Sequence, residues 1–259
     1  MEFKNLKLSF EEPLAVVTLD RPPVNALNVD TISELDQALG AIGAREELRV
    51  VLITSASPKA FIAGADILAF TTYRQEEIGG LIKKGQDLFD KMEAFHLPII
   101  AVINGPCLGG GCELALACHM RIASEKARFG QPEINLGIIP GWGGTQRLPR
   151  LVGRTRGLEL LLTGAIIDGA EAYNLGLVNS IVAAEELDQE ARKMASRLAR
   201  QAPLGIRATL RVVAQGNTLS LKEGQALEAE AFEEVFASED AREGIRAFLE
   251  KRPPNFKNR

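Results

Sequence analysis

Two glutamates stand in sequence contexts where a carboxylate can do acid–base chemistry. Glu113 directly follows a glycine cluster at the start of a predicted helix, and Glu133 lies twenty positions later in a loop rich in proline and glycine. A carboxylate in a dry pocket has a raised pKa, close to the range useful for proton transfer at neutral pH. Paired glutamates can hold and activate a water molecule. The alternatives are a helix-terminal charge for Glu113 and a surface loop acid for Glu133.

Two glycine- and alanine-rich loops are candidates for binding an oxyanion. Gly109, Gly110 and Gly111 lack Cβ atoms, so an oxygen atom can approach the free N–H groups of the helix that begins there. The loop 61–66 repeats this arrangement after another strand, where the N–H of Ala65 is a second candidate donor. Two converging donors would form an oxyanion hole beside an acyl carbonyl. A tight packing turn without a ligand is the alternative for the glycine triplet.

Other chemistries are poorly supported by the sequence. It contains no Gly-x-Ser-x-Gly elbow and no Walker A motif, and the glycine triplet lacks the spacing of a dinucleotide-binding loop. Cys107, Cys112 and Cys118 have spacings that fit no common zinc pattern, and His96 and His119 are the only histidines. We therefore predict reduced thiols and no metal site.

The composition is that of an ordinary globular protein. The 259 residues are 46% hydrophobic and 25% charged, which allows one large domain or one domain with a smaller appendage. The net charge of -4 does not favour nucleic acid as a bulk partner. The N-terminus lacks the apolar segment of a signal peptide, and no apolar run approaches the roughly 18 residues of a membrane span. These features predict a cytoplasmic protein.

The elements that must position these residues alternate between strands and helices. Apolar or alternating runs predict strands at 3–10, 14–19, 50–54, 99–103 and 177–182. Helical spacing and capping boxes, Thr31-x-x-Glu34 and Asp168-x-x-Glu171, predict helices at 31–42, 78–95, 112–119 and after residue 168. This alternation indicates an α/β core at 1–195. The last part, 196–259, is predicted as a helical C-terminal subdomain.

Taken together, these motifs make the chain similar to the crotonase superfamily, and specifically to enoyl-CoA hydratases. The similar segments run nearly from end to end, at 19–27, 60–67, 98–105, 108–114, 129–134, 139–146 and 250–257. The resemblance implies a spiral of repeated ββα units with a C-terminal helical region that trimerises. It also implies a homo-oligomer, either a trimer or a hexamer built as a dimer of trimers.

The resemblance further implies roles for individual residues. Ala65 and Gly110 match the two oxyanion-hole donors for a thioester carbonyl, and Glu113 and Glu133 match the two catalytic glutamates. Contacts to the coenzyme A part of the ester are implied for Ala63, Ala65, Asp66, Ile67, Leu68, Gly110 and Lys257. Phe256 and Lys257 would lie near the coenzyme A end of a site, their own or a neighbour's. Leu68 stands where many hydratases carry a lysine, which removes one contact to the coenzyme A phosphates.

The expected activity is reversible addition of water across the 2,3 double bond of 2-enoyl-CoA thioesters, giving 3-hydroxyacyl-CoA in fatty-acid and lipid metabolism. Glu113 is assigned to the water and Glu133 to the proton at C2. No metal or redox cofactor is expected, because coenzyme A enters as part of the substrate. Three alternatives stay open: an enoyl-CoA isomerase, a pathway-specific 3-hydroxyacyl-CoA dehydratase, and a non-catalytic member that binds CoA esters or RNA.

Overall fold

The computed structural model describes residues 2–259, apart from the side chain of Phe70. Within these residues, ten strands alternate with helices along the first two thirds of the chain. The strands are β1 (Leu6–Glu11), β2 (Leu14–Leu19), β3 (Val50–Ser55), β4 (Ile62–Ala63), β5 (Ile99–Ile103), β6 (Pro106–Leu108), β7 (Met120–Ser124), β8 (Arg128–Gly130), β9 (Ile166–Asp168) and β10 (Ser180–Val182).

Eleven α-helices are found among the described residues, and the last four follow one another without an intervening strand. The helices are α1 (Val29–Gly43), α2 (Ile67–Phe70), α3 (Gln75–Glu93), α4 (Gly110–Ala117), α5 (Gly144–Val152), α6 (Arg154–Thr163), α7 (Gly169–Asn174), α8 (Leu187–Ala199), α9 (Pro203–Gly216), α10 (Leu221–Phe236) and α11 (Glu239–Leu249). Short 3-10 helices lie at Pro132–Leu136 and Ala184–Glu186.

The strands form two sheets, and each repeat of the chain contributes one strand to each sheet. The larger sheet has the order β1-β2-β3-β5-β7-β10, and it is parallel except for the β1–β2 hairpin. The smaller sheet has the order β4-β6-β8-β9, in which β4, β6 and β8 are parallel. The pairs β3–β4, β5–β6 and β7–β8 each give one strand to each sheet before the chain turns into a helix. This is the predicted repetition of ββα units.

The larger sheet is buried on both faces, as its apolar sequence requires. All five residues of β5 are buried, which matches the continuous hydrophobic run of a covered parallel strand. One face packs against α1, α3 and α4 in the main core. The other face is covered by α8, which buries Leu187, Ala191 and Ala195 against β3, β5 and β7. The predicted boundary at 195/196 lies within α8, and the two-part division of the chain stays a prediction.

Several element boundaries differ from the sequence prediction. Helix α1 begins two residues before Thr31, at Val29, because the Asn28 side chain caps it by accepting from the N–H of Thr31. Glu34, the other half of the predicted capping box, instead accepts from the N–H groups of Lys4 and Asn5. The predicted strand 177–182 is reduced to β10, and α4 begins two residues earlier than predicted.

The C-terminal segment is helical, as the composition predicts. The capping box at Ser220 and Glu223 opens α10, with the N–H of Ser220 donating to the Glu223 carboxylate at 2.9 Å. Helices α9 and α10 pack against each other. None of the helices described in residues 2–259 has both the length and the apolar character needed to cross a bilayer.

Candidate active site

The candidate residues gather at the carboxyl ends of three parallel strands. Strands β4, β6 and β8 are aligned so that Ala63 pairs with Leu108, and Leu108 pairs with Gly130. The residues that follow each strand therefore meet at one edge of the smaller sheet. Ala65 follows β4, the glycine cluster follows β6, and Glu133 follows β8. This register explains how segments far apart in sequence form one site.

Glycine is required where β6 turns into α4. Gly109 has a φ of 50°, and a Cβ there would lie 2.8 Å from Oε1 of Glu133. A Cβ on Gly110 would lie 3.6 Å from the backbone nitrogen of Ala65. Glu133, Gly110 and Ala65 thus surround a space that a side chain at either glycine would fill.

The N–H groups of the two proposed donors lie beside this space and have no acceptor among the described residues. Hydrogen bonds from Leu27 to Gly64 (2.9 Å) and from Asp66 back to Leu27 (2.8 Å) hold the loop on both sides of Ala65. The Ala65 N–H itself has no hydrogen bond among the described residues. Gly110 is the first residue of α4, so its N–H lacks an acceptor within the helix. Two donors are therefore available for one ligand oxygen.

Glu113 is buried and held by the loop that follows Glu133 in the chain. Its Oε1 accepts from the N–H of Trp142 at 2.7 Å and from the N–H of Gly144 at 2.8 Å. Burial raises the pKa of Glu113 to about 7, and the nearby charge of Glu133 adds to this, while the two N–H groups partly oppose it. The same carboxyl group can therefore exist protonated or ionised near neutral pH.

Glu133 faces the same space from the opposite side. It lies in the first turn of the 3-10 helix Pro132–Leu136, and burial raises the pKa of its carboxyl group. The Gln131 side chain is fully buried beside it, with its amide group 3.2 Å from both carboxylate oxygens. The amide orientation that satisfies both groups turns the nitrogen toward the carboxylate, and in that orientation Gln131 donates to Glu133 and holds it in place.

The raised pKa of Glu113 predicts a pH-dependent stability. In the folded protein this group keeps its proton up to about pH 7, whereas its ordinary pKa is 4.5. Between pH 4.5 and about pH 7 the carboxyl group ionises in the unfolded state but not in the folded state. The free energy of unfolding therefore falls by about 3 kcal/mol across this range, and this contribution does not change further above pH 7. Glutamine at this position cannot ionise, and its oxygen can still accept from both N–H groups. Urea unfolding of wild type and Glu113→Gln from pH 5 to 8 should show the wild type losing stability relative to the variant. A pH-independent difference would contradict the raised pKa.

The Asp66 side chain stabilises the loop that carries Ala65. Its carboxylate pairs with Arg21 at 2.6 Å and accepts from the N–H of Ala69 at 3.4 Å. Arg21 lies in the turn after β2 and also donates to the carbonyl of Ala26 in the same turn. Its ion pair with Asp66 therefore joins the loop of Ala65 to that turn. Of the predicted coenzyme A contacts in this segment, Ile67 and Leu68 are exposed, and the N–H of Ala63 donates to Val24 at 3.0 Å.

Lys257 lies in the C-terminal tail that follows α11 and packs back against the first turn of that helix. Its N–H donates to the buried carboxylate of Asp240 at 2.6 Å, and the N–H of Asn258 donates to the other oxygen at 2.8 Å. Phe256 packs near Gly244. No hydrogen bond or ion pair within residues 2–259 links Lys257 to the two glutamates, so its contact with coenzyme A stays a prediction.

Trp142 and Gln131 are site residues that the sequence did not single out. Both stood inside motifs that carried the resemblance, but neither has an ionisable side chain. The signal that could have found Trp142 is its position as the only tryptophan of the chain, inside a glycine-rich loop. The signal for Gln131 is its spacing two residues before Glu133, although nothing in the sequence shows that its amide is buried.

The three cysteines are free and buried. Burial raises the pKa of Cys118 to about 12 and that of Cys107 well above its ordinary value. They therefore behave as inert core residues. Among the described residues, no group of three His, Cys, Asp or Glu side chains could hold a metal ion. The expectation of chemistry without a cofactor stays a prediction.

Comparisons with known proteins identify the family of the chain. A family model described as enoyl-CoA hydratase/isomerase matches residues 9–259. The chain is 43% identical to a crotonyl-CoA hydratase of Syntrophomonas wolfei over 257 residues, which cover 99% of both chains. It is 42% identical to a short-chain-enoyl-CoA hydratase of Clostridium acetobutylicum, with 100% of each chain covered.

Solved structures show the same fold. The crystal structure of an enoyl-CoA hydratase from Bacillus anthracis superposes with a TM-score of 0.95 at 37% identity, covering 99% of this chain and 100% of that one. The α/β fold of repeated ββα units, expected from the resemblance, is thereby confirmed.

Proposed function

The chain belongs to the enoyl-CoA hydratase/isomerase family, and from this premise we propose that it catalyses reversible hydration of 2-enoyl-CoA thioesters to 3-hydroxyacyl-CoA. The observation that carries the proposal is that Glu113 and Glu133 meet beside the free N–H groups of Ala65 and Gly110. An isomerase needs to move one proton between two carbons, whereas hydration must also deliver a hydroxyl group. Two carboxyl groups around one space suit the second task.

The two N–H groups act on the thioester carbonyl. Its oxygen accepts from Ala65 and Gly110, which draws electron density from the conjugated double bond and makes C3 electrophilic. When water adds, negative charge develops on the same oxygen, and the donors stabilise this enolate-like state. One such donor lowers the activation free energy by about 3 kcal/mol. The partial positive charge at the start of α4 acts in the same direction.

The carboxyl groups divide the proton transfers between them. Oε1 of Glu113 already accepts two N–H groups, which leaves Oε2 to take a proton from the water that attacks C3. Glu133, whose pKa is raised by burial, gives a proton to C2. The reverse direction exchanges these roles. Because the two groups interact, their titration belongs to the pair.

The remaining parts of the proposal concern binding and assembly. The coenzyme A end of the ester lies along the backbone of 63–68, with Phe256 and Lys257 of the same or a neighbouring subunit near it. Assembly as a trimer or dimer of trimers is supported by exposed apolar side chains on the last three helices, which include Val213, Phe232, Phe236, Phe248 and Leu249. We place the enzyme in the cytoplasm, in fatty-acid metabolism.

The test is the loss of enoyl-thioester absorbance when the purified protein meets crotonyl-CoA, with no metal or nucleotide added. Rapid loss, with 3-hydroxybutyryl-CoA as product, is expected. A 3-enoyl-CoA ester assayed in parallel separates hydratase from isomerase. If neither ester reacts while CoA esters still bind, the proposal is wrong.

A further inference from the structure

We propose that Trp142 sets the length of the acyl chain and restricts this enzyme to short-chain enoyl thioesters. The inference rests on the proposed function and adds the acyl class of the substrate. The indole of Trp142 is enclosed by neighbouring groups. Trp142 is 4% exposed, and Phe89 packs against its ring edge-on with centroids 6.0 Å apart.

The indole fills the space between helix α3 and the start of α4. A Cβ on Gly85 of α3 would lie 2.3 Å from both Cδ1 and Nε1 of the indole. At the other edge of the ring, a Cβ on Gly110 would lie 2.6 Å from Cζ3. Both positions must therefore be glycine for this ring to fit, and the ring extends from α3 as far as the donor residue.

The ring lies directly beside Gly110, one of the two proposed oxyanion donors. Gly110 supplies one donor to the thioester oxygen, and the backbone N–H of Trp142 itself binds Glu113. The coenzyme A end of the substrate leaves along the exposed side, past Ile67 and Leu68. An acyl chain that continues beyond C3 in the opposite direction meets the indole and α3.

Trp142 and α3 together form the wall of the proposed acyl pocket, and two contacts fix the loop of Trp142 to α3. The Gln86 side chain donates to the carbonyl of Gly141 at 2.9 Å, and a Cβ on Gly141 would lie 2.5 Å from Cδ1 of Ile82. The loop before Trp142 is thus fastened to α3 by a hydrogen bond and close packing. The indole N–H is buried and has no acceptor among the described side chains and backbone. A phenyl ring would have no such unpaired donor. The advantage of the indole at this position is therefore its larger area.

The test compares Trp142→Ala and Trp142→Phe with wild type on butenoyl-, hexenoyl- and octenoyl-CoA. We expect wild-type kcat/KM to fall by about tenfold or more from butenoyl- to octenoyl-CoA. The ratio of octenoyl to butenoyl kcat/KM should rise about tenfold in Trp142→Ala and less in Trp142→Phe. Phe95→Leu loosens the same core at a ring that packs on His96 and not on the indole, and it should leave this ratio unchanged.

Equal wild-type activity on all three esters, or a ratio unchanged in both Trp142 variants, would overturn the inference. Binding of saturated butyryl-CoA and octanoyl-CoA to the same proteins gives the length preference without turnover. If wild type hydrates no ester, the proposed function fails, and the binding ratio still tests Trp142 separately.

Discussion

Glutamine in place of either Glu113 or Glu133 is expected to lower kcat for crotonyl-CoA hydration by about 100-fold to 10,000-fold, the usual range for general acid–base groups. Glutamine has nearly the shape of glutamate but cannot exchange a proton. At position 113 its oxygen can keep both hydrogen bonds from Trp142 and Gly144. The active-site loop should therefore stay in place, and CoA-ester binding should be nearly unchanged. The loss of enoyl-thioester absorbance measures the first effect, and calorimetric titration with butyryl-CoA measures the second.

The matched control is Glu185→Gln. Glu185 is an exposed glutamate that forms only a long surface ion pair with Lys126, at 4.0 Å, so its replacement should leave both measurements unchanged. Substantial turnover in either single active-site variant would contradict a mechanism that uses both carboxyl groups.

The second large effect is expected for Gly110→Ala. A Cβ at this position would lie 2.6 Å from the indole of Trp142 and 3.6 Å from the nitrogen of Ala65. Either the indole or the start of α4 must move, and the added methyl group enters the space between the two donors, where it displaces the thioester oxygen. Loss of one well-placed oxyanion donor lowers kcat by about 100-fold to 1,000-fold. Steady-state kinetics with crotonyl-CoA and a thermal unfolding curve of the same sample measure the effect on activity and on folding.

Gly79→Ala is the matched control for this substitution. Gly79 lies in α3, and a Cβ there meets no atom within 4 Å. Alanine should stabilise the helix by up to about 1 kcal/mol and leave kcat unchanged. If Gly110→Ala folds and retains wild-type kcat, the thioester oxygen does not bind in the space between Gly110 and Ala65.

Much of the framework could be predicted from the sequence, because it depends on local patterns. The continuous apolar run at 99–103 specifies a buried strand, and the structure has β5 at those residues. Residues 220–223 specify a helix start by a local capping box, which is present. The glycine cluster before Glu113 predicted a helix start with free N–H groups, and α4 begins there. The two glutamates and the two donors were identified from the residue types and assigned their roles through the resemblance. Those roles stay predictions.

Contacts between distant segments could not be read in the same way. The helix start at Asn28 was missed because Thr31 and Glu34 satisfy the same local pattern, and the partners of Glu34 are Lys4 and Asn5 on another segment. The ion pair between Arg21 and Asp66 joins two loops that only the sheets bring together.

By itself, the sequence determined which residues are able to do the chemistry and which segments become strands and helices. Only the tertiary structure decided the environment of those residues. The register of β4, β6 and β8 brings Ala65, Gly110 and Glu133 to one edge. Burial against the following loop then raises the pKa of Glu113, and α3 encloses the indole of Trp142. The physical reason is that hydrophobic periodicity and capping act within a few residues, whereas pKa values and pocket size depend on neighbours that only packing provides.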